Sequence, residues 1–221
     1  MTREAYHKSL NELQDELMRL ASMASGALSG AMTALKDRDL AASKKIVMAD
    51  AEVNRKRFEI EEKCIRLIAT QQPMAVDLRT LAAIINIVTD LERIGDHAEG
   101  IAKISLSIGE EQLVKPLIDL PRMADKALSM LQRCMESFVA RDAVAARKIC
   151  DEDDEVDALY DAVYNELILL MIENPAIIKD ATYLIWGAHN IERIADRVTN
   201  IAERVVYMVT GKMEEVNVSK Y

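Results

Sequence analysis

Hydrophobic positions recur with a helical period along almost the whole chain. The segment after Pro73 shows it best: Ile84, Ile87, Val88, Leu91, Ile94, Ala98 and Ala102 fall on one face at 3.6-residue spacing, as a core-facing stripe should. Breakers are few and divide the pattern cleanly. Residues 31 to 72 contain neither Gly nor Pro, Gly109, Pro116 and Pro121 cluster, and Pro175 stands alone. Asp39 and Asp142 each precede an Ala-rich periodic run and read as helix N-caps. Pro73 and Pro175 suit the first turn of a helix, where a missing N–H costs nothing. The pattern predicts helices over residues 4–36, 39–71, 73–107, 122–140, 142–173 and 176–210. A helix of about 35 residues is roughly 50 Å long at 1.5 Å per residue, which implies an elongated molecule.

The two halves repeat. Glu92–Ala102 and Glu192–Ala202 share six of eleven residues, where chance gives about one. At an offset of 103, Arg38-Asp39 recurs as Arg141-Asp142, and Asp50, Glu52 and Val53 recur as Asp153, Glu155 and Val156. Pro73 matches Pro175 at an offset of 102. The expected fold is all-α, a tandem duplication of a three-helix bundle, with residues 1–109 as the first repeat and 110–221 as the second. The breaker cluster at Gly109–Pro121 is the expected hinge.

Composition narrows the function. Of 221 residues only 7 are Gly and 4 Pro, too few turn residues for a sandwich, barrel or doubly wound sheet. The net charge of −9 disfavours binding of nucleic acid or direct attachment to anionic lipid. Cys64, Cys134 and Cys150 form neither a CxxC pair nor a disulfide framework, and read as core or near-surface thiols in a reducing compartment. No apolar signal core opens the chain and no apolar run approaches the ~20 residues of a membrane span. The expectation is a soluble, cytoplasmic protein.

The candidate chemistry lies in four side-chain pairs at i,i+4: Asp50/Asn54, Glu92/Asp96, Asp153/Asp157 and Glu192/Asp196. This spacing stacks both side chains on one helix face, ~5–6 Å apart at Cβ. Two carboxylates there repel unless a cation offsets them, and two such helices make an oxygen half-cage for a hard metal. Roughly six acidic i,i+4 pairs are expected by chance in so acidic a chain, most of them solvated. Recurrence in register in both halves is what singles these four out. His189 shares the face of Glu192 and Asp196 and is a further imidazole candidate. His97 lies off the acidic stripe and is expected at the surface. Arg93 and Arg193 are expected to pair with carboxylates. Glu4-x-x-His7 has di-iron spacing but occurs once. No glycine-rich phosphate loop and no catalytic triad order is present.

These residues carry a resemblance. Gln71-Gln72-Pro73-Met74-Ala75-Val76-Asp77-Leu78-Arg79, followed by Asp90-Leu91-Glu92-Arg93-Ile94-Gly95-Asp96-His97-Ala98, with the duplicated Glu-x-x-x-Asp, resembles the PhoU family of phosphate-transport regulators over about residues 5–212. The resemblance implies two three-helix bundles side by side, with multinuclear metal clusters on the surface of each. Carried over, the first site is Asp50, Glu92 and Asp96, with Asn54 at a usually acidic position; the second is Asp153, Asp157, Glu192 and Asp196. The ions would be divalent or trivalent (Fe, Zn, Mn or Mg). Asp77 and Arg79 have no mirror partner. The implied role is non-catalytic: negative regulation of phosphate uptake and of the phosphate-starvation response. The implied partners are a phosphate-sensing histidine kinase and the ATPase subunit of the phosphate ABC transporter, with membrane association only through them; a homodimer stays open. The alternatives are a carboxylate-bridged di-iron ferritin-like enzyme and a metal-free helical scaffold. The former needs two Glu-x-x-His motifs, and neither Glu92 nor Glu192 has His three residues on.

Overall fold

The computed structural model describes residues 3–111 and 113–214. Six long helices, one short helix and a 3-10 turn make up the fold, with no strand among the described residues: α1 (Arg3–Asp37), α2 (Leu40–Gln71), α3 (Val76–Ile108), α4 (Asp119–Ala140), α5 (Ala143–Cys150), α6 (Asp153–Glu173), the 3-10 turn Pro175–Ile177, and α7 (Ile178–Thr210). Helices α1, α2 and α3 pack on one another, as do α4 to α7, and the halves join through α3 against α7 and α1 against α4. The all-α duplicated architecture is as expected. One continuous hydrophobic core runs through both halves, and every residue of the Ile84–Ala102 stripe is fully buried in it. All three cysteines are buried within it, and none is in a disulfide. No helix among the described residues is long and apolar enough to cross a membrane.

Burial repeats at the 103-residue offset. Leu17, Leu20, Ala24, Leu28, Met32 and Leu35 of α1 are buried, and so are Leu120, Met123, Ala127, Leu131, Met135 and Phe138 of α4. Both predicted caps form. The Asp39 carboxylate accepts from the Ala42 N–H at 2.9 Å, and that of Asp142 accepts from the N–H groups of Val144 and Ala145, both at 2.9 Å. Asp142→Ala strands two donors at the start of an eight-residue helix and should cost about 1 kcal/mol in chemical denaturation, with unchanged m-value.

Three boundaries differ from the pattern. Pro73 lies outside α3, because Ala75 takes φ 49°, ψ −113° and interrupts helical geometry until Val76. Pro121 lies within the first turn of α4, which begins at Asp119 rather than residue 122. The single helix expected over 142–173 is broken between Cys150 and Asp153. At the break, Glu152 is held by Lys126 (2.8 Å) and by both Arg133 Nη atoms (2.5 and 2.6 Å) of α4. The three acids opening α6, Asp153, Asp154 and Glu155, favour a helix N-terminus there. The matching position of α2 is Ala49, and α2 runs through unbroken.

Helices α3 and α7 run antiparallel. His97 Nδ1 lies 3.0 Å from Asn190 Oδ1, and Arg197 Nη1 lies 3.6 Å from Asp90 Oδ1. These contacts are mates at an offset of 100 and mark an approximate two-fold relation of the halves. His97 is therefore half-buried at the crossing, not at the surface, and desolvation lowers its pKa. Here the acidic stripe was a poor guide, because the flank away from α2 is covered by α7.

Candidate functional site: two carboxylate clusters

The first cluster forms where α2 meets α3. Gly95 carries no side chain, so α2 approaches closely: a Cβ there would lie 3.1 Å from Val53 Cγ1 and 3.5 Å from Asp50 Oδ1. Asp50 thereby faces α3. Its pKa is raised, first by burial and then by the charges of Asp96, Glu99 and Glu92. The structure thus brings Asp50, Glu92 and Asp96 together and adds Glu99, which Lys103 holds at 2.6 Å. Asn54 is also present, with its Nδ2 donating to Asp50 Oδ2 at 2.8 Å.

The second cluster repeats this between α6 and α7. It gathers Asp153, Asp157, Glu192 and Asp196, and the charge of Asp196 contributes to raising the pKa of each of the other three. Burial and then Asp157, Asp196 and Glu192 push Asp153 up to about 7. Burial and then Asp196 push Glu192 up to about 7, with Arg193 opposing. Asp157 rises for the same reasons, burial first and Asp196 next. The ring of His189 joins this cluster, with Nδ1 3.4 Å from Glu192 Oε2 and its centroid 6.0 Å from that of Tyr160. Desolvation and Arg193 lower its pKa.

Each cluster has the same resident cation. Arg93 Nη1 lies 2.8 Å from Asp96 and its Nε 3.5 Å from Glu92; Arg193 repeats this at 2.8 Å from Asp196 and 3.3 Å from Glu192. The first cluster has a second one that the residue pattern did not single out. Arg57 Nη1 lies 3.4 Å from Glu92 Oε1, and Arg57 Nε 3.0 Å from Glu61. Its signal was available, since positions 50, 54, 57 and 61 share one face of α2. The matching residue in the second half is Tyr160, so no equivalent charge is supplied there.

The donor chemistry suits a hard cation. Asp50 Oδ1, Glu92 Oε2 and Glu192 Oε2 are buried without a hydrogen-bond partner, although the two glutamate oxygens lie within ion-pair range of the arginines. Buried carboxylate oxygens left this way are costly. As the side chains stand, however, no group of three or more His, Cys, Asp or Glu residues among those described converges closely enough to hold an ion. Arg93 and Arg193 hold Asp96 and Asp196 in ion pairs at 2.8 Å instead.

Comparison with known proteins places this architecture. The PhoU domain matches twice, over residues 17–105 and 120–205. The phosphate-specific transport system accessory protein PhoU homolog of Clostridium acetobutylicum is 38% identical over 218 residues, covering 98% of this chain and all of that protein. Its counterpart in Rhizobium meliloti is 35% identical over 94% of this chain and 88% of its own length. The crystal structure of the phosphate transport system regulatory protein PhoU from Streptococcus pneumoniae superposes with a TM-score of 0.87 at 33% identity, covering 95% of this chain and 99% of that one. PhoU from Pseudomonas aeruginosa gives 0.89 at 30% identity, over 94% and 100%. With both halves matched, in sequence and in fold, the chain belongs to the PhoU domain family.

Proposed function

We propose that this protein is a non-catalytic negative regulator of phosphate uptake and of the phosphate-starvation response. It acts as a metal-binding adaptor between the ATPase subunit of the phosphate ABC transporter and a phosphate-sensing histidine kinase. The observation that carries the accessory role is end-to-end similarity to accessory proteins of phosphate-specific transport systems. Support for metal comes from duplicated carboxylate clusters in which burial and neighbouring carboxylates raise the pKa of Asp50, Asp153 and Glu192. Asp50, Asn54, Glu92 and Asp96 would hold one set of ions, and Asp153, Asp157, Glu192 and Asp196 the other. Divalent or trivalent ions of Fe, Zn, Mn or Mg would neutralise the clusters and tie α2 to α3 and α6 to α7. Arg93 and Arg193 would have to release their carboxylates as ions enter.

Deletion of the gene should switch on phosphate-starvation genes in high phosphate, and the wild-type copy should silence them again. A deletion strain that keeps those genes silent would overturn the regulatory role. Elemental analysis of protein purified without chelator separately tests the metal. The wild type should carry metal that the Asp153→Asn/Asp157→Asn/Glu192→Gln/Asp196→Asn protein loses in part.

A further inference from the structure

The two halves differ at one corner of their carboxylate clusters. In the second half that corner is aromatic. His189 of α7 stands one turn before Glu192, with Nδ1 3.4 Å from Glu192 Oε2. The ring of Tyr160 on α6 lies beside the imidazole at 6.0 Å between centroids, and Tyr164 follows at 6.2 Å from Tyr160. In the first half the residues matching His189, Tyr160 and Tyr164 are Thr89, Arg57 and Glu61. Those three close on one another. Arg57 Nε lies 3.0 Å from Glu61 Oε1, and the Thr89 hydroxyl donates to the same oxygen at 3.4 Å. One corner is thus filled by a guanidinium and its counter-charge, whereas the other presents an imidazole nitrogen beside a carboxylate oxygen. Arg93 and Arg193 sit alike in the two clusters and drop out of the comparison.

We propose that His189 is a further ligand of the α6–α7 site and makes that site select a zinc-like ion, a preference that the α2–α3 site, with oxygen donors alone, lacks. This rests on the metal-binding reading of the clusters and adds to it a difference between the halves. Imidazole nitrogen suits zinc, iron, nickel and copper, and sets of oxygen donors suit magnesium, calcium and manganese. Glu192 Oε2 is buried without a hydrogen-bond partner. Bonds of ~2.0–2.1 Å to a four-coordinate ion set neighbouring donors about 3.3–3.4 Å apart. His189 Nδ1 and Glu192 Oε2 already have that separation. Arg193 Nε lies 3.3 Å from the same oxygen and has to move aside for an ion, as Arg93 does in the first half.

The test titrates metal-free full-length protein with Zn²⁺ and, separately, with Mn²⁺ by calorimetry. His189→Gln should weaken the tighter Zn²⁺ site at least about tenfold and leave Mn²⁺ within about twofold of the wild type. The His189 side chain is 47% exposed, so the fold should tolerate the change, and circular dichroism checks that it does. Long-range ¹H–¹⁵N NMR of the wild type gives a second readout that does not depend on the variant's affinity. The chain has 3 histidines, so the His189 signals are identified by their loss in His189→Gln. Zn²⁺ should shift the His189 Nδ1 resonance. Loss of Zn²⁺ affinity no greater than that of Mn²⁺, or an Nδ1 resonance unmoved at Zn²⁺ saturation, would overturn the role of His189 and leave the clusters standing as metal sites. Wild-type protein that takes up neither ion would remove the metal reading itself, and this inference with it.

Discussion

Metal-free protein titrated with Mn²⁺ at pH 8 should fill the α6–α7 cluster before the α2–α3 cluster, with affinities at least about tenfold apart. Asp153, Asp157, Glu192 and Asp196 offer four carboxylates, whereas Asp50, Glu92 and Asp96 offer three and Asn54 a neutral amide. Asn54 also spends its amide on Asp50. Arg57 adds to the difference, as its guanidinium already lies 3.4 Å from Glu92 and the second half has Tyr160 in its place. One unit charge a few ångströms from a cation is worth about 1 kcal/mol or more even at an effective dielectric constant near 20, and 1.4 kcal/mol is tenfold. The pH matters because Asp153 and Glu192 hold protons up to about 7, and those protons compete with metal below that. Asn54→Asp should strengthen the first site, Arg57→Gln should do the same, and Asp157→Asn should weaken the second. Equal sites in the wild type, or an Asp157→Asn protein that binds as before, would defeat the charge argument.

The same carboxyls predict an unusual pH dependence of stability. In the chelated protein, Asp153 and Glu192 keep their protons up to about 7, while an unfolded chain loses them near 4. The native state therefore binds more protons between these values, and stability falls as pH rises from about 4 to about 7. Asp50 and Asp157 are shifted in the same direction and add to the slope. Glu152 has the opposite sign. Arg133 holds it down to about 2, so the stability it contributes is present above about 4.5 and fades only as pH falls towards 2, below the window of interest. The clusters are partly solvated and their members titrate together, which reduces the net effect to roughly 2 kcal/mol. For a chain of this size that corresponds to a Tm about 4–8 °C lower at pH 8 than at pH 5. Asp153→Asn/Glu192→Gln should flatten the profile, and saturating Mn²⁺ should remove the fall. A metal-free Tm that holds or rises across this range would show that the clusters are not strained by their own charge.

These expectations depend on features of different legibility. The core stripe of α3, the caps at Asp39 and Asp142 and the stacking of Glu92 over Asp96 and of Glu192 over Asp196 were all readable along the chain. Each is a consequence of the 1.5 Å rise and 3.6-residue turn of one helix, so spacing alone determines it. The duplication was readable for a related reason: one packing solution used twice keeps buried positions at constant offsets. That argument extends to Arg93 and Arg193, whose carboxylate partners are three residues away on the same helix.

What crosses between helices was decided only by the fold. The pairing of Arg57 with Glu92, the crossing of His97 and Asn190, and the approach of Asp50 past Gly95 depend on which faces meet and at what depth. The break between Cys150 and Asp153 is of the same kind. The acids Asp153, Asp154 and Glu155 favour a helix start there, but the clamp of Glu152 by Lys126 and Arg133 of α4 comes from another helix. Burial of Asp153 and Glu192, which raises their pKa values to about 7, is likewise a property of neighbours far away in sequence. The sequence by itself determined the helices, their core-facing stripes and the register of the repeat, because these follow from the local geometry of the backbone. Only the tertiary structure decided which charges are neutralised and which are left against one another, because those depend on desolvation and on distances between separate helices.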